Sequence, residues 1–151
     1  MRMVKQFSVF LVNKPGVLAQ VTGSLAKARI NLRALTLVDS SEHGVLRLVC
    51  DDPEDTVRKF LARTHDHFTE TDVLEVELSN APGAFADAAT RLSEAHINIS
   101  YAYLTSGGPG GRTTAIFKVA DMKKALKVLE GKAEGTSRQG RGTVKTAPSR
   151  R

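Results

Sequence analysis

Two Asn-x-Pro-Gly turns stand at matching places in the sequence, and their residue types suit a small polar ligand. The stretches NKPG at 13–16 and NAPG at 80–83 each precede an apolar pattern with helical spacing. A helix that starts at Pro-Gly exposes free backbone N–H groups at its positive end, which favour a carboxylate, and glycine lets a ligand approach the main chain. Because an asparagine amide both donates and accepts, these residues predict a site for an α-amino acid.

The two turns belong to an internal duplication. The segment 13–31 aligns without gaps with the segment 80–98, at an offset of 67, and eight of nineteen positions are identical. A second pair of asparagines, Asn31 and Asn98, matches in this alignment. We therefore predict two units, at 1–70 and 71–131, followed by a tail at 132–151.

Each unit repeats the element order β-α-β-β-α. The predicted strands are 4–12, 30–38, 45–50, 73–78, 97–105 and 113–119. The predicted helices are one that starts at residue 17 and those at 53–63, 83–95 and 121–130. A crossover helix between parallel strands, followed by a hairpin, predicts α+β ferredoxin-like βαββαβ units, with antiparallel sheets and helices on one face. DHFTET at 66–71 is the candidate fourth strand of unit 1. Only GTVKTA at 142–147 is available in unit 2, so its fourth strand is doubtful.

The composition is that of a soluble globular protein. Of 151 residues, 41% are hydrophobic and 25% are charged, which argues against a collagen-like or wholly disordered chain. No apolar run approaches the ~20 residues of a membrane helix, and the N-terminus lacks the pattern of a signal peptide. We expect a cytoplasmic protein with no membrane association. The single cysteine, Cys50, is expected in the core.

The positive charge is concentrated in the tail. Residues 131–151 carry six basic residues and one acidic residue, for a net charge of +5. Residues 1–130 carry 16 basic and 15 acidic residues, for a net charge of +1. The tail has one large aliphatic residue, Val144, so we expect it to be a disordered, solvated extension, with weak phosphate binding as the alternative. We expect no nucleic-acid partner, since the third strands also lack a set of stacking aromatics.

Deletion of residues 135–151 should leave the melting temperature nearly unchanged, because the tail has so little apolar surface to bury. Differential scanning calorimetry of the full and shortened chains measures this. A loss of several degrees would show that GTVKTA supplies the missing strand, since even ~1 kcal/mol moves the melting temperature of a domain this size.

No other motif predicts catalysis or a cofactor. His65, Asp66 and His67 lack further ligands at a spacing that would hold a metal. The loop GGPGG at 107–111 has the glycines of a phosphate loop but not its Gly-Lys-Ser/Thr ending, so a hairpin loop is expected. We expect a non-enzymatic protein without metal or organic cofactor.

The repeated pattern resembles the ACT domain. A strand ending in N-x-P-G, a helix, and a second strand opening with I-N-[IL] occur twice, as VNKPGVLAQV…RINL and SNAPGAFADA…HINI. The resemblance covers roughly residues 4–130, and the chain is similar to small proteins made of two tandem ACT domains. It implies a regulatory module that binds a free amino acid at the seam between two ACT units.

The resemblance also implies which residues contact the ligand. They are the asparagine and glycine of each turn, the two residues after each glycine, and the asparagine that opens strand two: Asn13, Gly16, Val17, Leu18, Asn31, Asn80, Gly83, Ala84, Phe85 and Asn98. Serine-sensing members have histidine where this chain has Leu11 and Leu78, which argues against serine. The structural alternative stays open: the asparagines could form turns, cap helices or end them in the left-handed conformation.

One unit alone cannot bring its two asparagines to one ligand, because parallel strands place Asn13 and Asn31 at opposite ends. Within one chain, the pairs would be Asn13 with Asn98 and Asn80 with Asn31. We favour a homodimer, since the chain between the units is too short to bring the two strand-two edges together. An enzyme is a further candidate partner. The alternatives are a regulatory subunit of an enzyme such as acetolactate synthase, whose small subunit the first half also resembles, and a transcription-linked regulator like the two-ACT regulator of glycine cleavage.

Overall fold

Six strands and four helices make up the computed structural model, which describes residues 1–39, 43–51, 55–64 and 67–131. The elements are β1 Arg2–Val12, α1 Val17–Lys27, β2 Asn31–Asp39, β3 His43–Asp51, α2 Thr56–Thr64, β4 Phe68–Ser79, α3 Ala84–Glu94, β5 Ile99–Gly108, β6 Arg112–Val119 and α4 Met122–Glu130, with a short turn of 3-10 helix at Pro109–Gly111. The predicted tail and GTVKTA lie outside the described residues.

The strands form one antiparallel sheet in the order β2-β3-β1-β4-β6-β5. Phe7, Val9 and Leu11 alternate along β1 and are buried with Val21 and Leu25 of α1, as the period-two and helical patterns predict. Unit 2 repeats this core beneath α3 and α4. The α+β fold of two ferredoxin-like units, with helices on one face, is confirmed.

The two long strands serve both units. Residues 68–72 of β4 pair with β1 as the fourth strand of unit 1, and residues 74–79 of the same strand pair with β6 in unit 2. The first half of β1 pairs with β4, with Arg2 opposite Glu75, and occupies the position of a fourth strand in unit 2. Unit 1 therefore supplies the fourth strand of unit 2, which was doubtful from the sequence.

Helix α2 starts later than predicted. It begins at Thr56 rather than at residue 53, and Asp55 has φ 55, a left-handed conformation that cannot continue into a helix. Pro53 itself lies outside the described residues, and the helix that the structure describes begins directly after Asp55.

Helices α1 and α3 end alike, and the strand-two asparagines do not end them. The left-handed residues are Arg29 with φ 60 and His96 with φ 56, each two positions before the asparagine. The N–H of Ile30 donates to the carbonyl of Leu25 at 3.0 Å, and unit 2 repeats this bond at 2.9 Å, as in a Schellman motif. The structural alternative that Asn31 and Asn98 adopt the left-handed conformation at the helix ends is therefore wrong.

The sheet face opposite the helices carries a buried polar cluster that joins the units. Gln6 of β1 is fully buried; its Nε2 donates to the Tyr101 hydroxyl at 2.6 Å and its Oε1 accepts from the Tyr103 hydroxyl at 2.9 Å. The Arg47 guanidinium lies 4.0 Å from the centre of the Tyr101 ring. These contacts bring β5 back across unit 1, so the sheet curls, and Cα atoms of the edge strands β2 and β5 come within 8 Å.

The curl corrects the expectation about chain length between the units. No linker has to cross the sheet, because the sheet itself bends until its two edges face each other within one chain.

Alkaline pH should destabilise the protein partly through Tyr103. Burial raises the pKa of Tyr103 above its ordinary value, so the folded protein keeps this proton while the unfolded chain loses it near pH ~10. The stabilising contribution is complete below that pH and is lost as the pH rises through the window up to the folded pKa. Urea unfolding between pH 8 and 11 should show a steeper decline for the wild type than for Tyr103→Phe.

The Lys5–Asp72 pair acts in the same direction, because its hydrogen bond raises the pKa of Lys5. It is present in both proteins, so their difference isolates Tyr103. Equal slopes in the two proteins would contradict the assignment.

Candidate functional site

Unit 1 has a cavity of about 280 Å³ where β1 and β2 end and α1 begins. Three predicted site residues, Asn13, Val17 and Leu18, line it together with Leu37 and Asp39. The remaining lining residues are Leu11, Val12, Lys14, Val38 and Gly44. Since β1 and β2 both run antiparallel to β3, they are parallel to each other and their last residues meet at one end of the sheet.

The start of α1 supplies free backbone donors to this end of the sheet. Gly16 adopts a left-handed conformation, with φ 88, which only glycine takes readily. Val17 N–H donates to the carbonyl of Lys14 at 3.4 Å, and the first helical bond runs from Gln20 to Gly16 at 2.9 Å. The N–H groups of Leu18 and Ala19 have no hydrogen-bond partner among the described residues, so the positive helix end can accept a carboxylate.

A carboxylate stands across the cavity from these donors. Asp39 is exposed, and its Oδ1 accepts from the Asn13 amide at 3.5 Å. Asn13 therefore holds the end of β2 and does not cap α1, whose N-cap is Gly16 with no side-chain hydrogen bond. With N–H donors, a carboxylate and aliphatic walls, the cavity can bind the carboxylate, ammonium and side chain of an apolar amino acid.

Unit 2 has the same turn with different side chains around it. Gly83 has φ 85 and Asp87 N–H donates to its carbonyl at 2.9 Å, which repeats the backbone of unit 1. Phe85 stands at the place of Leu18, and its ring stacks on Phe117 with centroids 5.3 Å apart. Ser106 stands at the place of Asp39. Unit 2 therefore has neither the small aliphatic side chain nor the carboxylate that serve the unit 1 cavity.

Ala84 lines a different space, a groove of about 710 Å³ between α3 and the end of α4. Arg91 closes one side of this groove by donating to the carbonyls of Val128 and Leu129, where α4 ends. The groove thus lies beside the last turn of a helix, whose carbonyls are already satisfied by an arginine.

The strand-two asparagines do not reach the unit 1 cavity. Asn31 donates to Asp51 Oδ2 at 2.9 Å and lines a separate cavity of about 940 Å³ between the start of β2 and the end of β5. Asn98 is exposed, and its carbonyl accepts from Ala120 N–H at 3.2 Å. The side chain of Asn80 is also exposed and has no partner among the described residues. The structure brings none of these three to Asn13.

Sequence reasoning missed Asp39 and Leu37, which complete the cavity. The signal was available, because parallel first and second strands end at the same end of the sheet, which places Asp39 at the same end as Asn13. The alignment of the two repeats also distinguishes this position, because unit 2 has Ser106 where unit 1 has Asp39.

The described part of the chain contains no group of three His, Cys, Asp or Glu side chains that could hold a metal ion. His65 and Asp66 lie outside it, and His67 is exposed. None of the helices in the described ranges is long and apolar enough to cross a membrane.

The family model of the ACT domain pair matches residues 2–134, and the chain belongs to this family. A Bacteroides thetaiotaomicron protein of known structure is 35% identical, with a TM-score of 0.78 over 87% of this chain and 89% of that one. A comparison with curated proteins found no match.

Two more distant structures share the fold. The regulatory subunit of aspartate kinase from Thermus thermophilus, in a ligand-free form, is 13% identical, with a TM-score of 0.61 over 87% of this chain and 97% of that one. The structure of aspartokinase alpha and beta subunits is 18% identical, with a TM-score of 0.60 over 85% of this chain and 90% of that one. At these identities, the likeness concerns the fold alone.

Proposed function

We propose that this ACT domain pair is a non-enzymatic, cytoplasmic regulatory module that binds a free α-amino acid in the unit 1 cavity. The observation that carries the proposal is the convergence of Asn13, Val17 and Leu18 with Asp39 on one cavity of about 280 Å³. The N–H groups at the start of α1 bind the ligand carboxylate, and Asp39 binds its ammonium group. No metal or organic cofactor takes part.

The walls of the cavity select an apolar ligand. Val17, Leu18 and Leu37 present aliphatic surface, and the charged groups Lys14 and Asp39 stand at its rim. An aliphatic amino acid of the size of valine or leucine buries its side chain against these residues. A charged side chain would lose its hydration without gaining an opposite charge inside.

A bound ligand contacts both the turn that precedes α1 and the end of β2. A ligand that contacts both elements stabilises the arrangement in which they are close, and this is the change that a partner would detect. The partner proposed is an enzyme of amino-acid metabolism. The fold that this chain shares with the regulatory subunit of aspartate kinase supports that class of partner.

A thermal-shift screen of the full chain against the twenty amino acids tests the proposal. An aliphatic amino acid at 100 times its Kd should stabilise the fold by about 2.7 kcal/mol, a rise of several degrees. Leu18→Phe should abolish the shift, because phenylalanine is the residue that unit 2 carries at this place and it fills the cavity. Phe85→Leu is the matched control and should keep the shift.

A wild type that no amino acid stabilises at millimolar concentration would contradict the proposal, as would a shift that survives Leu18→Phe and disappears in Phe85→Leu. Gly16 is a poorer probe, because its φ of +88 strains the turn for any side chain.

A further inference from the structure

Gly44 forms the base of the unit 1 cavity. It lies on β3, between Leu11 of β1 and Asp39 of β2 in the register of the sheet, and all three residues line the cavity. Leu46, two positions further along β3, packs in the core beneath the helices, so the position of Gly44 faces the same side. A side chain at this position would therefore project into the space between the sheet and the start of α1.

The backbone does not require glycine at this position. Gly44 does not have the positive φ that favours glycine, and β3 is hydrogen-bonded on both sides. A glycine inside such a strand weakens it and is typical of a place where a ligand or another backbone approaches closely. The nearest atoms to the place of the missing side chain are Leu37 Cδ1 and the carbonyl oxygens of Val38 and Leu11, at 3.3, 3.7 and 4.0 Å. These atoms belong to the two flanking strands, which leaves the approach of a ligand as the explanation.

Unit 2 has a full side chain at the matching position. Thr113 stands between Leu78 and Ser106, which are the counterparts of the two residues that flank Gly44. It is 8% exposed, so its side chain occupies in unit 2 the place that is empty in unit 1. Since β-branched residues suit strands, the fold accepts a large side chain here, and the glycine is particular to unit 1.

Leu37 forms a movable wall beside this base. A methyl group at Gly44 would stand 3.3 Å from Leu37 Cδ1, closer than the optimal distance between carbon atoms. Leu37 also lines the cavity and is 47% exposed, so its side chain has room to shift. A methyl group at Gly44 would thus change the cavity in two ways, through its own volume and through the displacement of Leu37.

We infer that Gly44 sets the size of the ligand side chain that unit 1 accepts, and that it favours a side chain of the size of leucine over a shorter one. The inference rests on the proposed amino-acid site. With the ligand carboxylate at the start of α1 and its ammonium group at Asp39, the ligand side chain lies over the Gly44 backbone and beside Leu37. Each methylene group buried there adds to the affinity, so leucine gains more than alanine.

Titration calorimetry of the full chain with L-leucine and with L-alanine tests the inference. The wild type should bind leucine more tightly than alanine. Gly44→Ala should lower the ratio of leucine affinity to alanine affinity at least tenfold, because one methylene group in an apolar pocket changes discrimination by roughly 10- to 200-fold. Gly44→Thr, which installs the residue of unit 2, should abolish leucine binding.

The melting temperatures without amino acids give a second measurement. Neither variant of Gly44 should melt below the wild type, because the added atoms occupy open space and a strand favours alanine or threonine over glycine. Gly23→Ala, at an exposed glycine inside α1, is the matched control. It should raise the melting temperature through helix propensity and leave the affinity ratio unchanged.

A Gly44→Ala variant that keeps the wild-type affinity ratio would overturn the inference and leave the amino-acid site in place. A wild type that binds alanine at least as tightly as leucine would also overturn it. So would a fall of several degrees in the melting temperature of ligand-free Gly44→Ala, because the space over Gly44 would then be filled. A failure of the proposed function is distinct, since the wild type would then bind none of the twenty amino acids in the thermal-shift screen.

Discussion

Replacing Gln6 with leucine should lower the free energy of unfolding by about 2–4 kcal/mol. Gln6 is fully buried and donates to the Tyr101 hydroxyl and accepts from the Tyr103 hydroxyl. Leucine has a similar size but no polar atoms, so two partly buried hydroxyls would lose their partner. Because these bonds join β1 of unit 1 to β5 of unit 2, the loss falls on the contact that curls the sheet.

The control for this variant removes the hydroxyls as well. The triple variant with Gln6→Leu, Tyr101→Phe and Tyr103→Phe removes both hydroxyls that bond to Gln6, so that of its partners within the described residues only the buried Ser8 hydroxyl, 3.5 Å from the Gln6 amide, is left. Both rings remain, including the ring beneath Arg47. Urea unfolding should show that the triple variant regains at least half of the stability lost in Gln6→Leu. A single variant that costs less than ~0.5 kcal/mol, the scale of a surface substitution, would contradict the role given to Gln6.

Asp39→Ser should weaken amino-acid binding by roughly 10- to 100-fold, a loss of about 1.5–3 kcal/mol. Serine is the residue that unit 2 has at this position, and it cannot balance the positive charge of the ligand ammonium group. Asp39 is exposed, so the stability of the free protein should change by no more than ~0.5 kcal/mol.

Titration calorimetry with the amino acid that gives the largest thermal shift measures this loss. Ser106→Ala in unit 2 is the matched control and should bind like the wild type. An unchanged affinity in Asp39→Ser would remove the carboxylate from the site, and an equal loss in Ser106→Ala would move the site to unit 2.

The duplication made the local structure predictable. The residues NKPG and NAPG repeat, and the structure repeats their backbone, with φ 88 at Gly16 and φ 85 at Gly83. The core faces of β1 and α1 followed from periods of 2 and 3.6 residues. All of these features depend on residues that are close together in the sequence.

The global arrangement was not predictable in the same way. The curl depends on Gln6 meeting Tyr101 and Tyr103, which lie 95 and 97 residues away. Neither the periodicity of the sequence nor its turn residues indicate which residues so far apart in the sequence are in contact. The shared use of β1 and β4 by both units also follows from the assembled sheet and not from either repeat alone.

The position of the unit 1 cavity was predictable, but its full lining was not. Sequence reasoning named Asn13, Val17 and Leu18, which line the cavity, but not Asp39 or Leu37. It gave equal weight to Phe85, whose stacking on Phe117 sets unit 2 apart, and to Asn31, which binds Asp51. The two units share the backbone of this turn but differ in the side chains that surround it.

The most direct test of the central claim is an amide chemical-shift titration of the ¹⁵N-labelled full chain with the best amino acid of the thermal-shift screen. The account predicts the largest shifts at the backbone N–H groups of Leu18 and Ala19 and at the side-chain amide of Asn13. The matching groups of unit 2, the N–H groups of Phe85 and Ala86, should move little. Shifts centred on Phe85 and Ala86, or none at any of these amides at saturating ligand, would contradict a ligand site at the start of α1.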